Sequence, residues 1–204
     1  MDLDALATVY RPLAESLRRL IDVSIRSEVH ADVVAAATAK IDAAADELSA
    51  SMVPGSFGIR KGSDGQGVAW GNVVIGLRNP VAPPLTVHHD SYGSVWTVFT
   101  LGAAYEGPAG HVHGGVCALI LDHVLGATAH LPGRPAVTGT LTIRYLRGTR
   151  LGRTLRARAH VDRIEGAKTF ATGCIEDDEG VTVECSGVFI HPKQHFSGPT
   201  EDQI

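Results

Sequence analysis

The chain has 204 residues, of which 44% are hydrophobic and 20% charged, and its formal net charge is −4. This length and composition predict one globular domain with an appended segment. The acidic balance argues against a general nucleic-acid-binding protein, for which a basic surface is typical. No apolar run approaches the ~20 residues of a membrane-spanning helix, and the first residues lack the basic character of a signal peptide.

The three cysteines have no metal-type spacing, which favours reduced thiols and a cytoplasmic location. Residues 1–84 are predicted to form a helical segment and a linker. Leucines and isoleucines at three- and four-residue steps predict helix over residues 1–50, whose second stretch is rich in alanine. A glycine-rich passage follows, in which 69–75 is a candidate strand. The prolines of 79–85 predict an extended linker that could also lie over a substrate.

Residues 85–192 are predicted to form the globular domain, with several strands and one helix, and residues 193–204 are predicted to form a frayed tail. An apolar helix is predicted over 114–129, ended by the proline- and glycine-containing residues 132–135. Alternating apolar and polar residues predict a hairpin over 86–101 that turns at 90–93, and four later strands. These four strands cover 137–147, 153–163, 168–175 and 181–190.

The predicted helix is apolar almost all round, so it must be enclosed. The antiparallel strands each offer one apolar face, and their sheet is the only element that can enclose it. The sequence therefore predicts an α+β protein with a hotdog fold, in which an antiparallel sheet wraps around a central helix, with an added N-terminal helical segment.

The strand over 137–147 places Leu141, Ile143 and Tyr145 on one face. Thr138 has the opposite parity, so it reaches the same face only at the strand entrance or through a bulge at Gly139.

The start of the helix carries the sequence His113-Gly114-Gly115. The first amides of a helix have no partner within it, and the helix dipole favours negative charge there. We expect the Gly114 N–H, and also that of Gly115, to hold a thioester carbonyl and stabilise its oxyanion, with His113 as a positioning residue. In the alternative interpretation, the glycines only allow a tight helix entry.

Asp122 lies eight residues after Gly114, among apolar neighbours. Burying a carboxylate is costly, so Asp122 is a candidate general base or nucleophile. The alternative is a structural acid paired with His123 or an arginine. Eight residues span about 12 Å of helix, so one chain cannot bring both groups to one carbonyl. Two copies of the helix packed antiparallel about a two-fold axis can, which predicts an obligate dimer with composite sites.

Several arginines follow the helix, and Arg147 and Arg150, in a loop between strands, are the candidates for binding a coenzyme A phosphate. We expect surface ion pairs to account for most of the others. A metal site formed by His111, His113 and His123 is disfavoured, because no third ligand is well spaced. We therefore expect no metal and no cofactor, with coenzyme A entering only as part of the substrate.

Residues 107–115, followed by Asp122 and then by Thr138 leading 140–145, resemble the PaaI/THEM4-like hotdog acyl-CoA thioesterases. The resemblance spans residues 88–191. It implies a homodimer or a dimer of dimers that hydrolyses acyl-CoA thioesters to free CoA and a carboxylic acid, in lipid metabolism.

In the roles that this resemblance implies, the Gly114 amide is the oxyanion donor, Asp122 of the other subunit is the base or nucleophile, and Thr138 assists the carboxylate. Thr140 and Tyr145 are further candidates for substrate contact. A non-catalytic acyl-CoA-binding protein and a hotdog dehydratase or hydratase are the alternatives. The last of these generally uses a helix histidine with a different acidic pattern.

Overall fold

The computed structural model describes residues 2–62, 67–83, 85–90, 93–130 and 134–192. The predicted tail over 193–204, part of the predicted turn at 90–93 and part of the predicted helix end at 132–135 lie outside these residues. The chain divides into two compact units, Met1–Pro84 and Leu85–Ile204, which are taken in turn. No helix in the described ranges is both long enough and apolar enough to cross a membrane.

The N-terminal unit contains two helices where the sequence pattern suggested a nearly continuous one. These are α1 (Leu3–Arg26) and α2 (Ala31–Ser49), followed by a short antiparallel pair, β1 (Arg60–Lys61) and β2 (Gly67–Val68). The side chain of Asp2 accepts a hydrogen bond from the Ala5 N–H at 3.1 Å and begins α1. Helix α1 ends at Arg26, because the backbone of the next residue, Ser27, is extended.

The predicted strand over 69–75 is wrong, because the side chain of Asn72 folds this segment into a turn. Its Oδ1 accepts hydrogen bonds from the Val74 N–H at 2.7 Å and the Ile75 N–H at 3.1 Å. An asparagine that bonds the backbone two residues further on mimics a backbone turn. This local competition overrides the apolar pattern that favoured a strand.

The predicted extended linker at 79–85 also contains a turn, in which the Ala82 N–H donates to the Asn79 carbonyl at 3.2 Å. Arg18 of α1 donates to the carbonyls of both residues, at 3.0 Å for Asn79 and 3.3 Å for Ala82. The turn is therefore held by the helix within this unit.

The second unit is a six-stranded antiparallel sheet with the order β3-β4-β6-β7-β8-β5. The helix α3 (Gly114–Ala129) packs against five of these strands. The strands are β3 (His88–His89), β4 (Val95–Thr100), β5 (Val137–Tyr145), β6 (Thr154–Glu165), β7 (Lys168–Asp177) and β8 (Gly180–Ile190).

The core of this unit lies between α3 and the sheet. Each large apolar side chain buried there contributes about 1.5–3 kcal/mol. Gly173 of β7 allows the close approach of the helix, because a Cβ there would lie 2.8 Å from Leu125 Cδ1. Side chains that are fully buried include Ile120, Leu121, Val124, Leu125, Leu155 and Phe189. The enclosed helix and the wrapped antiparallel sheet confirm the predicted α+β hotdog fold with added N-terminal helices.

Strand β5 is an edge of the sheet and pairs only with β8 among the described strands. Its register shifts between Thr138, which pairs with Phe189, and Thr140, which pairs with Val188. The extra residue is Gly139, as the parity argument required. Because Phe189 is buried on the helix side, the bulge turns Thr138 toward α3.

Candidate active site

The first turn of α3 leaves one amide open. His113 is the N-cap, and its Nδ1 accepts the Gly115 N–H at 2.9 Å. The His113 carbonyl accepts the Val116 N–H at 2.9 Å. In the described part of the chain, the Gly114 N–H is bonded to no acceptor.

This geometry corrects one prediction. The Gly115 amide cannot serve as a second donor to a carbonyl, because the imidazole of His113 already occupies it. Cap positions favour side chains that accept such a bond, and an imidazole nitrogen can do so. The position of His113 just before the helix was the signal for this role.

Tyr145 of β5 fixes the same turn. Its hydroxyl donates to the Gly114 carbonyl at 2.9 Å, and a Cβ at position 114 would lie 3.2 Å from its ring. Desolvation raises the pKa of Tyr145, so its hydroxyl keeps the proton that it donates. Tyr145, predicted to contact substrate, thus also positions the backbone of Gly114, a role that the strand pattern did not reveal.

A cleft of about 470 Å³ opens beside this turn, and Gly114 and Tyr145 both line it. Thr140, another predicted contact, lies on the outer face of the sheet and is not among the lining residues. The remaining lining residues include Pro108, His111, Val112, Cys117 and Thr149.

Asp122 lies further along α3 and is half-buried. Thr138 Oγ1 donates to its Oδ1 at 2.7 Å, across the bulge of β5. Among the described residues no cationic side chain pairs with this carboxylate. Burial lowers the pKa of the adjacent His123, so its imidazole is neutral near pH 7. The alternative of a structural ion pair is therefore not what the structure contains.

The three thiols offer no competing nucleophile. Cys117, Cys174 and Cys185 are all free and buried. Burial raises the pKa of each of them, and that of Cys185, which also lies near Asp122, reaches about 11. A thiol with a raised pKa is a poor nucleophile near neutral pH, which agrees with the apolar setting of Cys117.

Arg147 is held by a carboxylate. Its Nη1 donates to Asp177 Oδ2 at 3.0 Å, its Nη2 bonds Asp177 Oδ1, and Nη2 also donates to the Gly180 carbonyl at 2.8 Å. The guanidinium holds the pKa of Asp177 below its usual range. These bonds use three of the five N–H groups of the guanidinium, and Arg147 also lines the cleft beside Gly114, so its contact with a coenzyme A phosphate stays a prediction.

Arg150 also faces an acid, with its Nη1 3.8 Å from Glu179 Oε1. The arginines of the strands follow the expected pattern of surface ion pairs, such as Arg144 with Glu184 and Arg158 with Glu176. Nowhere in the described ranges do three His, Cys, Asp or Glu side chains gather as metal ligands.

Comparison with known proteins agrees with this architecture. Residues 109–184 match a family model described as the thioesterase superfamily. A crystal structure of protein RHA08564, a thioesterase superfamily protein, is 32% identical with a TM-score of 0.78, over 89% of this chain and 90% of that chain. The chain therefore belongs to the thioesterase superfamily, which confirms the family predicted from the His-Gly-Gly motif and Asp122.

The particular relatives are named as acyl-CoA thioesterases. Acyl-coenzyme A thioesterase THEM4 of Xenopus laevis is 34% identical over 95 residues, which is 46% of this chain and 43% of that protein. Acyl-coenzyme A thioesterase THEM5 of Homo sapiens is 32% identical over 105 residues, which is 50% of this chain and 42% of that protein. The chain thus spans less than half the length of these two curated relatives.

Proposed function

We propose that this chain hydrolyses acyl-CoA thioesters to free CoA and a carboxylic acid. One observation carries the proposal. The Asp122 carboxylate lies half-buried on an apolar helix and is bonded to a neutral hydroxyl, with no cation paired to it in the described ranges. A carboxylate kept in this state is available for chemistry at the cost of stability. Membership of the thioesterase superfamily and the two THEM relatives support this choice of reaction.

The Gly114 amide would bind the thioester carbonyl oxygen. When water or a carboxylate adds to the carbonyl carbon, negative charge moves onto this oxygen. A preorganised N–H at a helix start stabilises that charge in the transition state. The open amide and the cleft beside it are the features that support this role.

Asp122 would act at the carbonyl carbon in one of two ways. As a general base it takes a proton from water, whose hydroxide adds to the carbon; the C–S bond then breaks and the proton passes to the CoA sulfur. As a nucleophile, one carboxylate oxygen adds to the carbon and expels the CoA thiolate, and water then hydrolyses the anhydride. In either case Thr138 would orient the carboxylate through its hydrogen bond.

Two copies of the chain would form each site. Asp122 and Gly114 are separated by about 12 Å along α3, too far to share one carbonyl. The edge of the sheet at β5 has no second neighbour among the described strands, and an unpaired edge strand is open to pairing with another chain. A two-fold dimer would place Asp122 of one copy beside Gly114 of the other. Assembly into a dimer of dimers and a cytoplasmic location stay predictions.

The direct test is the Asp122→Asn variant, with release of the CoA thiol followed over a panel of acyl-CoA chain lengths. We expect turnover to fall by about 10²- to 10⁴-fold, as for the loss of a general base or nucleophile. The matched control is Asp162→Asn, because Asp162 also accepts a threonine hydroxyl, from Thr172 at 2.9 Å, but lies on β6 and is exposed. Normal turnover by Asp122→Asn contradicts the assignment. Saturable acyl-CoA binding without turnover by the unaltered protein favours the non-catalytic alternative.

A mixed dimer tests the shared site. Protomers carrying Asp122→Asn are combined with protomers carrying Gly114→Pro, which removes the amide proton. If each site takes one group from each copy, random pairing restores about one quarter of the wild-type activity. Activity that stays at the level of the two separate variants shows that both groups act within one chain.

A further inference from the structure

The N-terminal unit contains a cleft of its own, with a volume of about 780 Å³. This volume lies within the range of small-molecule sites, about 300–1,000 Å³. Side chains from α1, the end of α2 and the segment that follows form its walls. Its apolar and aromatic lining includes Leu6, Leu13, Leu48, Met52, Phe57 and Trp70.

Two guanidinium groups lie among these apolar walls. The Arg78 Cζ is 3.4 Å from the centre of the Tyr10 ring and 5.2 Å from that of Phe57. The Arg60 Cζ lies 4.9 Å from the centre of the same Phe57 ring. Stacking on a ring uses the flat face of a guanidinium and leaves its N–H edge available for an anion.

Both arginines lack a carboxylate partner among the described residues. Arg18 of α1 is different, because its guanidinium donates to backbone carbonyls at Asn79 and Ala82. The backbone N–H of Arg78 donates to the Trp70 carbonyl at 3.1 Å, so its position at the cleft is fixed. The unit thus holds two guanidinium groups at an apolar cleft. Among the described residues, their side-chain N–H groups donate to no acceptor.

We propose that this cleft binds a long-chain carboxylate, with the hydrocarbon chain against the apolar walls and the carboxylate on Arg60 and Arg78. The charge of the site favours an anion. Two guanidiniums without a carboxylate partner repel each other, and both attract the two oxygens of a carboxylate. The apolar lining selects a ligand with a hydrocarbon tail. Such a molecule is also the acid product of the proposed hydrolysis, and this link alone rests on the proposed function.

The test is calorimetric titration of the full chain with monomeric palmitate, using hexadecanol as the uncharged analogue. We expect saturable palmitate binding, at least about tenfold weaker binding of hexadecanol, and a loss of about tenfold or more in palmitate affinity for the double variant Arg60→Gln/Arg78→Gln. The control is Arg11→Gln, which removes an exposed positive charge from α1 at a position that does not line the cleft, and this variant should bind palmitate normally. Far-ultraviolet circular dichroism checks that each variant is folded.

A second pair of variants keeps the test valid if the double variant fails to fold. Leu48→Asp places a negative charge in the cleft wall and should weaken palmitate binding, whereas Leu48→Met should not. Equal palmitate affinity for wild type and the double variant overturns the proposal. Equal binding of palmitate and hexadecanol also overturns it, as does binding only to anionic phospholipid vesicles. If palmitate binds but acyl-CoA is not hydrolysed, the cleft proposal stands and the proposed function fails.

Discussion

The polar groups of the β7–β8 turn and those of the helix α3 differ in how many hydrogen-bond partners they have. In the turn, the Asp177 side chain is 3% exposed. It accepts hydrogen bonds from both terminal nitrogens of Arg147, Nη1 and Nη2, and from the Glu179 N–H. On α3, Asp122 has one neutral donor and the Gly114 amide has no acceptor in the described part of the chain. Closed sets of partners are typical of stabilising contacts, whereas groups left open mark a site where a substrate completes the set. Removing a closed group should cost stability, and removing an open one should cost rate.

After the loss of the Asp122 carboxylate, the largest expected effect is at Gly114. Gly114→Pro removes the N–H that we assign to the carbonyl, and proline is well tolerated at the first position of a helix. His113 before it is extended, with φ −61° and ψ 133°, as a residue preceding proline prefers. Because one oxyanion donor is lost, kcat for CoA release should fall by about 10²- to 10³-fold.

Gly114→Ala is the matched control for this variant. It introduces a Cβ 3.2 Å from the Tyr145 ring but keeps the amide, so its loss of activity should be much smaller. Equal losses in the two variants would show that crowding, and not the donor, explains the effect.

Next in size is the loss of the hydroxyl that holds Asp122. Thr138→Val keeps the shape of the side chain but removes the donor of a charge-assisted hydrogen bond, so kcat should fall by about ten- to a hundredfold. Thr138→Ser should restore most of the rate. Thr140→Val, on the outer face beyond the bulge, should leave the rate unchanged. A wild-type rate in Thr138→Val would remove Thr138 from the site.

For Asp177, whose hydrogen-bond partners are all within the protein, we expect a loss of stability and not of rate. Asp177→Asn should lower the melting temperature by a few degrees while kcat of the folded protein changes little. Arg147 lowers the pKa of Asp177 in the folded state, so the pairing adds stability above the pKa of the unfolded carboxyl. This stability is lost as the pH falls through the folded pKa.

The difference in melting temperature between wild type and Asp177→Asn should therefore shrink in acid, which thermal unfolding from neutral to acidic pH measures. A constant difference across that range would mean that the charge of Asp177 is not what stabilises the turn.

The smallest expected effect is that of Tyr145→Phe, which removes the neutral hydrogen bond to the Gly114 carbonyl. A typical bond of this kind contributes about 0.5–1.5 kcal/mol, so kcat should fall by a few-fold. If Tyr145 acts by positioning the amide, kcat falls more than KM rises. A change confined to KM would instead assign Tyr145 to substrate contact, as the sequence predicted.

The fold was predictable because periodicity is a local property. Alternation along β6, with Leu155, Ala157 and Ala159 buried, and the apolar surface of α3 are visible in short windows of sequence. The error at 69–75 has a local cause as well, because the Asn72 side chain competes with the strand for backbone amides.

The candidate site was predictable in its residues but not in their partners. Whether Gly114 or Gly115 keeps a free amide depends on the rotamer of His113, which no spacing reveals. Arg147 and Asp177 are 30 residues apart in sequence. They meet only because the folded sheet brings the loop after β5 next to the β7–β8 turn. The sequence of β5 could not show whether Gly139 forms a bulge, because the register of a strand pair depends on both strands, here β5 and β8.

The buried thiols have a consequence for the environment that the proposed reaction creates. Each turnover would release a free thiol, and oxidised CoA exchanges with protein thiolates to form mixed disulfides. With all three cysteines shielded from solvent and their pKa values raised, such exchange is slow at neutral pH. The cysteines of this protein are therefore poor targets for oxidised CoA, and a thiol-trapping reagent should report the proposed turnover against a low background.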